Sequence, residues 1–345
     1  MTGQPKNTTK NLLISLTVLV AVAVAVWAAL SIDPMGRRGA GTGRDFDKEL
    51  QKLKKFDLSL LKWSESLPAM PVSMDSPVAL TVLDDGNICV GGDKAVVILS
   101  VDGKEIGRVD LPFAPQALAA ADKKTYAASR NIIAVLDSDG HEQARWAPLD
   151  DVAHITSLAV SDEYVYAADA GNRVVMRYDR KTGKRTYKNG LADSGAFLSG
   201  FNAPSPHMDV ALSSAGDLLT VDPGRSRVQF RDVYGDVLTS WGTQGSEITK
   251  FHGCCNPAGI AILADGSIVT YEKVLQRVKV YTPKGKLVSV VAGPNEFSDH
   301  PKNTHVVPDI AVDRHDRILL LDPVRKAVRI FKRKVAPRPT TGASR

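Results

Sequence analysis

The chain has few of the residues and motifs that define several common classes of protein. Only three cysteines occur in 345 residues, and aromatic residues make up 6% of the chain. Three cysteines exclude a dense disulfide framework, and no basic, aromatic-rich patch indicates nucleic-acid binding. No nucleophile elbow, phosphate-binding loop, dinucleotide fingerprint or zinc-protease helix motif occurs. The sequence therefore excludes the enzyme classes that depend on those motifs.

The net charge of +6 belongs mainly to the ends of the chain. Much of it flanks an apolar N-terminal run or lies in the C-terminal stretch "KRKVAPRPTTGASR", so residues 335–345 are predicted to be a disordered basic tail. The part between is close to neutral, which again argues against a nucleic-acid partner. With 43% hydrophobic residues, the chain can bury one large core or two modest ones.

Residues 11–32, "NLLISLTVLVAVAVAVWAALSI", form an uncharged and largely apolar run. At about 1.5 Å per residue, such a helix crosses the roughly 30 Å of bilayer hydrocarbon. We interpret the run as an uncleaved transmembrane signal anchor that follows a short tail, residues 1–10. A cleaved signal peptide is the alternative, because "WAALS" partly matches a cleavage site. Residues 33–57 are then a juxtamembrane linker with a short charged helix. Basic residues flank both ends of the run, so charge leaves its orientation open.

A four-strand pattern is repeated along most of the chain. In "AGIAILADGSIVTYEKVLQRVKVYTPKGKLVSVVA", four β runs are separated by turn formers such as Asp265-Gly266. Six such copies begin about 40 to 50 residues apart, the spacing of blade-forming repeats. The aligned positions at the first run of each copy are Ala79, Ala117, Ser157, Asp209, Gly259 and Asp309. Six radially arranged sheets bury each other's faces. We therefore predict an all-β, six-bladed β-propeller over residues 58–334, preceded by an N-terminal transmembrane helix.

The sixth copy supplies only three strands before the sequence becomes rich in proline. The segment "FDLSLLKWSESLP", which begins at Phe56, precedes the first copy and belongs to no blade of its own. We predict that it provides the missing outer strand. Pairing of the two chain ends in one blade would close the ring without a covalent bond.

The repeat unit resembles the NHL repeat, as in "NPAGIAILADGSIVTYEKVLQRVKVY". The chain also resembles a group of bacterial NHL-type propellers with an N-terminal anchor. That group carries the strings PSPHxDVAL, FCGCCNP, TxEKGxxRVKVY and VVAGP, which match residues 205–212, 251–257, 270–281 and 290–294. Two departures from these strings are His252 in place of a cysteine and Val274 in place of a glycine. The resemblance implies a propeller on the extracytoplasmic side, tethered to a bacterial inner membrane.

Two of the three cysteines are adjacent, in the loop predicted to lead into the innermost strand of blade five. His252 lies in the same loop, and His154, His207 and His305 lie in the equivalent loops of other blades. Thiolate and imidazole ligands suit zinc or copper, so His207, His252, Cys254 and Cys255 are a candidate metal site at the mouth of the central channel. Two alternatives stay open: the cysteines pack as small hydrophobic residues, or they form a vicinal disulfide.

Acidic residues occur at two recurring positions. Side chains between the second and third strands, at Asp169, Asp222, Glu272 and Asp322, are predicted to accept backbone hydrogen bonds in the turns. Asp209 and Asp309 lie at the channel entrance, where the other blades carry Ala, Ser or Gly. With His154 and His305, they are candidates to bind a cation or a ligand in the channel.

Two functional hypotheses follow from these features. The first is a membrane-tethered, extracytoplasmic propeller that acts as a binding or scaffold module for a protein or small-molecule ligand at one face. The second is a metal-dependent hydrolase or redox protein that uses zinc or copper at His207, His252, Cys254 and Cys255. The sequence leaves the enzymatic status open, because the candidate ligands do not follow a standard metal-binding spacing.

Overall fold

A computed structural model describes residues 15–24, 27, 50–187, 196–300 and 307–334 of the chain. The chain divides into two compact units, residues 1–55 and residues 56–345. In the first unit, residues 15–24 and residues 50–53 are helical. None of the helices in these described ranges is long and apolar enough to cross a membrane. The predictions for residues 1–10, 335–345 and His305, and for most of the juxtamembrane linker, concern residues outside the described ranges.

The second unit confirms the predicted six-bladed β-propeller. Six antiparallel sheets each contain four strands, and five of the sheets follow the chain order without a crossover. The strands of blades one to three are β2 (Pro77–Val82), β3 (Ile88–Gly92), β4 (Ala95–Leu99) and β5 (Glu105–Asp110), then β6 (Ala117–Ala121), β7 (Lys124–Ser129), β8 (Ile132–Leu136) and β9 (Glu142–Arg145), then β10 (Ile155–Val160), β11 (Tyr164–Asp169), β12 (Val174–Asp179) and β13 (Arg185–Thr186).

Blades four to six complete the ring, and their inner strands begin close to the aligned positions of the repeat. These blades consist of β14 (Val210–Leu212), β15 (Leu218–Asp222), β16 (Arg227–Arg231) and β17 (Val237–Trp241), then β18 (Gly259–Ile262), β19 (Ile268–Glu272), β20 (Arg277–Tyr281) and β21 (Leu287–Ala292), then β22 (Asp309–Val312), β23 (Ile318–Asp322) and β24 (Ala327–Arg333) with β1 (Trp63–Pro71).

The turns between strands form where the sequence predicts them. In the turn from β18 to β19, Gly266 adopts a φ of +78°, a conformation that costs little only for glycine. The preceding Asp265 carboxylate accepts a hydrogen bond from the backbone N–H of Ser267 at 2.9 Å. This aspartate closes the turn locally, which explains why an Asp-Gly pair separates the two strands.

The hydrophobic core is divided among the spaces between neighbouring blades. Six clusters of buried side chains occur in the described part of the propeller, and each combines residues of two adjacent sheets. One cluster joins blade six to blade one, through Leu321 and Val328 on one side and Val90 and Val97 on the other. Cys89 is buried in the cluster between blades one and two. Each sheet is therefore stabilised by burial against both neighbours.

The predicted closing strand is present as β1, which pairs antiparallel with β24 as the outer strand of blade six. Trp63 is 2% exposed, and its indole N–H donates to the Ser289 hydroxyl of blade five at 3.1 Å. Within blade six, the Glu65 carboxylate accepts two hydrogen bonds from the Arg329 guanidinium, at 2.8 and 2.7 Å. The N-terminal end of the propeller is therefore locked to its C-terminal end by packing and by a paired charge.

Candidate functional site

The antiparallel order of each blade gives the ring two distinct faces. The loop that precedes the innermost strand and the turn between the second and third strands lie at the same end of each sheet. We call this end the leading face, because it carries the loops leading into β2, β6, β10, β14, β18 and β22. His154, His207, His252, Cys254 and Cys255 all belong to these leading loops. Loops at one face of a rigid ring are common places for binding sites.

The six innermost strands surround a central channel. The cavity measures about 290 Å³ and is lined by residues from all six blades. Its lining includes small side chains, such as Ala119, Ser157, Ala211, Ala261 and Ala311, beside larger aliphatic ones. Four of the six aligned positions in the sequence, Ala117, Ser157, Asp209 and Asp309, therefore line this channel.

Asp209 and Asp309 line the channel, as predicted, and each connects two blades. The Asp209 carboxylate accepts hydrogen bonds from its neighbour Val210 at 2.8 Å and from the backbone N–H of Ile260 in blade five at 2.6 Å. Asp309 likewise accepts from Ile310 at 2.9 Å and from the backbone N–H of Leu80 in blade one at 2.7 Å. These contacts tie inner strands together across blade boundaries. The further prediction that these side chains bind a cation or ligand stays a prediction.

The channel environment shifts both carboxyl groups toward their protonated forms. Burial and, second to it, the nearby charge of Asp309 raise the pKa of Asp209 to about 7, against the effect of the hydrogen bonds that it accepts. Burial also raises the pKa of Asp309 to about 6. Each side chain retains some surface toward the channel. The blades enclose that channel, so desolvation of the charged form has the largest effect on both pKa values.

The two adjacent cysteines have different environments. Cys254 is exposed and Cys255 is buried, and both are free thiols. Cys255 adopts a φ of +70°, in the left-handed region, and the backbone bends at residues 253–255. The Cys254 thiol hydrogen-bonds with the thiol of Cys255, and this contact raises the pKa of Cys254. The packing alternative therefore describes Cys255, whereas Cys254 faces solvent.

His154, His207 and His252 lie on the leading face without forming a compact cluster with the thiols. In the described ranges, the one group of three or more His, Cys, Asp or Glu residues with ligand atoms within 4.8 Å of one another is Asp137, Asp139 and His141. That group lies in the exposed turn between β8 and β9, on the opposite face. The metal hypothesis for His207, His252, Cys254 and Cys255 stays a prediction, and these four side chains have no such close arrangement in the described structure.

His154 and His252 are half-buried, and each is held through its backbone by the acidic residue of its own blade. The backbone N–H of His154 donates to Asp169 at 2.8 Å, and that of His252 donates to Glu272 at 2.5 Å. Burial lowers the pKa of His154, and the positive charge of Arg130 lowers it further. The leading loops of blades three and five are therefore anchored by the acidic residue at the end of the second strand.

The acidic residues of this column accept backbone hydrogen bonds in all four blades that carry them. Asp222 accepts from the backbone N–H of Asn202 at 2.8 Å, and Asp322 accepts from those of Val324 and Arg325, each at 3.1 Å. The prediction of backbone hydrogen bonds is confirmed. The partners of Asp222 and Glu272 lie in the leading loop instead of in the adjacent turn, because both segments meet at the same end of the blade.

Sequence reasoning missed Lys273 and Ser205, which meet at the junction of blades four and five. The Lys273 ammonium donates to the Ser205 hydroxyl at 2.9 Å, across 68 residues of sequence. Burial lowers the pKa of Lys273, and the thiols of Cys255 and Cys254 partly offset this effect. A sequence signal was available, since Lys273 belongs to the string at 270–281 and Ser205 to the string at 205–212.

A second set of buried charges lies deeper in blade five. Glu272 is fully buried between Lys279, whose ammonium lies 3.1 Å from its carboxylate, and Arg277, at 3.9 Å. Burial lowers the pKa of Lys279 to about 8, although the charge of Glu272 and its hydrogen bond to that carboxylate oppose the effect. Lys279 also donates to the backbone carbonyls of Lys250 at 2.7 Å and Ile248 at 3.2 Å. These contacts fix the segment that precedes the cysteine loop.

Val274 occupies a position whose backbone favours glycine. Its φ is +68° and its side chain is 48% exposed, so it is strained and buries little apolar surface. We expect Val274→Gly to stabilise the protein by about 1 kcal/mol, because relief of strain exceeds the entropy that glycine adds to the unfolded chain. Denaturant unfolding measures the change. Val288→Gly, at an exposed position within β21, is the matched control and should be destabilising. Equal losses of stability in both variants would contradict this account.

Searches of protein-family profiles and of curated proteins found no match to the chain. Among solved structures, a streptogramin B lyase structure has a TM-score of 0.55 at 10% identity, covering 80% of this chain and 99% of that chain. A structural genomics protein of unknown function from Bacteroides thetaiotaomicron has a TM-score of 0.54 at 16% identity, covering 79% and 72%. The WD40 β-propeller domain of Doa1 has a TM-score of 0.53 at 13% identity, covering 79% and 97%. These likenesses concern the fold: the protein is a six-bladed β-propeller.

Proposed function

We propose that the chain is an NHL-type propeller that acts as a binding or scaffold module through its leading face. The observation that carries this proposal is the junction of blades four and five, where Ser205, Lys273 and the exposed Cys254 come together. A rigid closed ring presents these groups with little conformational entropy to lose on binding. The ligand is a protein or a small molecule, and no feature of the folded part favours nucleic acid.

Site-specific photocrosslinking in cells tests this proposal. A photoreactive residue is placed at His252 on the leading face or at His315 on the opposite face of the full-length chain. We expect a discrete cross-linked product from position 252 and none from position 315. The proposal is wrong if neither position gives a product, or if both give the same product in equal yield.

We also propose that residues 11–32 tether the propeller to a bacterial inner membrane, with the propeller on the extracytoplasmic side. Support comes from the apolar run and from the resemblance to anchored NHL-type propellers. A phosphatase that is active only outside the cytoplasm, fused after Lys334, should be active. A well-expressed but inactive fusion would reverse the orientation.

A metal-dependent hydrolase or redox protein is the second candidate, and the adjacent free thiols of Cys254 and Cys255 favour it. The purified full-length chain should then contain stoichiometric zinc or copper, and His252→Ala should lower the metal content without loss of β structure. Equal metal content in the wild type, His252→Ala and Cys254→Ser, including none, would exclude this function. The ammonium of Lys273 beside the thiols weighs against a cation at this place.

A further inference from the structure

We propose that Lys273 and Ser205 form a subsite for an anionic oxygen group, a carboxylate or phosphate, of the ligand bound at the leading face. The inference rests on the proposed binding function and specifies the chemistry of the ligand. It differs from the metal hypothesis, because the group that it recognises carries the opposite charge.

The position of the Lys273 ammonium is determined by neighbours on two loops. The amide oxygen of Asn256, a fully buried residue, accepts from the backbone N–H of Lys273 at 2.8 Å. The amide N–H of Asn256 donates to the backbone carbonyl of His252 at 2.7 Å. Asn256 thereby joins the cysteine loop to the turn that carries Lys273, while Ser205 holds the ammonium from blade four at 2.9 Å. The cation is preorganised before any ligand arrives.

The charge of Lys273 is not balanced within the described residues. The groups that act electrostatically on its ammonium are the thiols of Cys255 and Cys254, and no carboxylate is among them. The contact between the two thiols favours the neutral form of Cys254. The carboxylate of the preceding residue, Glu272, instead lies 3.1 Å from the ammonium of Lys279. A half-buried ammonium without an anionic partner gains stability when an anion binds.

The subsite is open on the solvent side. Apart from Gly253 and its two chain neighbours, no atom lies within 4 Å of the position that a Cβ at Gly253 would occupy. Cys254 beside it is exposed, and Lys273 and Ser205 are each only partly buried. An approaching anionic oxygen would meet the Lys273 ammonium and the Ser205 hydroxyl, both of which can donate hydrogen bonds. The adjacent Cys254 thiol adds a weak donor, whereas a metal cation would meet an uncompensated positive charge.

Thermal unfolding of the full-length protein in detergent tests the subsite. Sodium phosphate or sodium acetate replaces sodium chloride at constant ionic strength, and the saturable rise in Tm gives the affinity for each probe. We expect Lys273→Met to bind each anion at least about tenfold more weakly than the wild type, because it loses one charge-assisted contact. Lys273→Arg should keep most of the response. Lys250→Met, which removes an exposed lysine paired with Glu247, is the matched control and should respond like the wild type.

The comparison of the two probes identifies the class of anion. A saturable response to acetate alone indicates a carboxylate, and a response to phosphate alone indicates a phosphate group. The inference is overturned if the wild type gives no saturable response to either probe, or if Lys273→Met responds like the wild type. Photocrosslinking at position 252 tests the binding function separately. If the cross-linked product forms in the wild type and in Lys273→Met while no anion response is found, the binding function is retained and only the anionic subsite is contradicted.

Discussion

Glu65→Ala is expected to destabilise the propeller by about 3 kcal/mol, because it leaves a buried guanidinium without its main counter-charge. The Arg329 side chain is 1% exposed, and two of its nitrogens donate to the Glu65 carboxylate. A third nitrogen donates to Asp322 at 3.2 Å, which keeps part of the charge compensated. The expected loss of stability is therefore at the lower end of the range for breaking a buried ion pair.

The position of Glu65 gives this substitution a global effect. Glu65 lies on β1 and Arg329 on β24, so their contact joins segments 264 residues apart and closes the ring. Equilibrium unfolding in urea, followed by circular dichroism, measures the loss. Arg329→Met in the Glu65→Ala background should recover part of it, because the unpaired charge is then absent.

Glu142→Ala is the matched control. Glu142 also lies on an outer strand and also pairs with an arginine, Arg145, but that pair is exposed. Its loss should cost less than about 1 kcal/mol. If Glu65→Ala cost no more than Glu142→Ala, the closing strand would not hold the ring together in the way the structure indicates.

Asp209→Asn is expected to change how stability depends on pH. The pKa of Asp209 is about 7 in the folded protein, well above the value of 3.8 for an unperturbed carboxyl. Between these values the folded state binds more protons than the unfolded state, so the free energy of unfolding falls as pH rises. The stability that protonation contributes is complete below pH 3.8 and is lost as pH rises through about 7. Over that range the loss is of order 3 kcal/mol for Asp209.

The asparagine side chain does not ionise, so the variant lacks this pH dependence of stability. It also loses one hydrogen bond. Its single carbonyl oxygen cannot serve both backbone donors, Val210 and Ile260, as the carboxylate does. That loss costs about 1 kcal/mol. We therefore expect Asp209→Asn to be less stable than the wild type at pH 4 and more stable at pH 8, with stability curves that cross between these values.

Urea unfolding at intervals from pH 4 to pH 8.5 reveals the crossing. Asp309→Asn is the parallel variant, and its difference from the wild type should develop at lower pH, since the pKa of Asp309 is about 6. The effects should not add in the double variant, because the charge of Asp309 contributes to the pKa of Asp209. Parallel curves for the wild type and Asp209→Asn would show that Asp209 is solvated like a surface carboxylate.

The repeat made most of the propeller predictable. Alternating apolar residues and Asp-Gly turns act over a few neighbours, so β18 to β21 could be located to within about two residues from the sequence. Because each sheet must bury both faces, the repeat also predicted a closed ring with β1 as its last strand. The same alignment placed Asp209 and Asp309 at the channel. What these carboxylates bind could not be predicted, because their backbone partners Ile260 and Leu80 belong to other blades.

The sequence by itself determined the number of blades, the strands of each blade and the face on which each leading loop lies, because these depend on short-range patterns repeated six times. Only the tertiary structure decided which side chains meet at that face. Lys273 reaches Ser205 across a blade boundary, and a left-handed residue at Cys255 buries one thiol while its neighbour Cys254 stays exposed. Such contacts depend on how neighbouring sheets are packed and on the conformation of single loop residues, neither of which the repeat specifies.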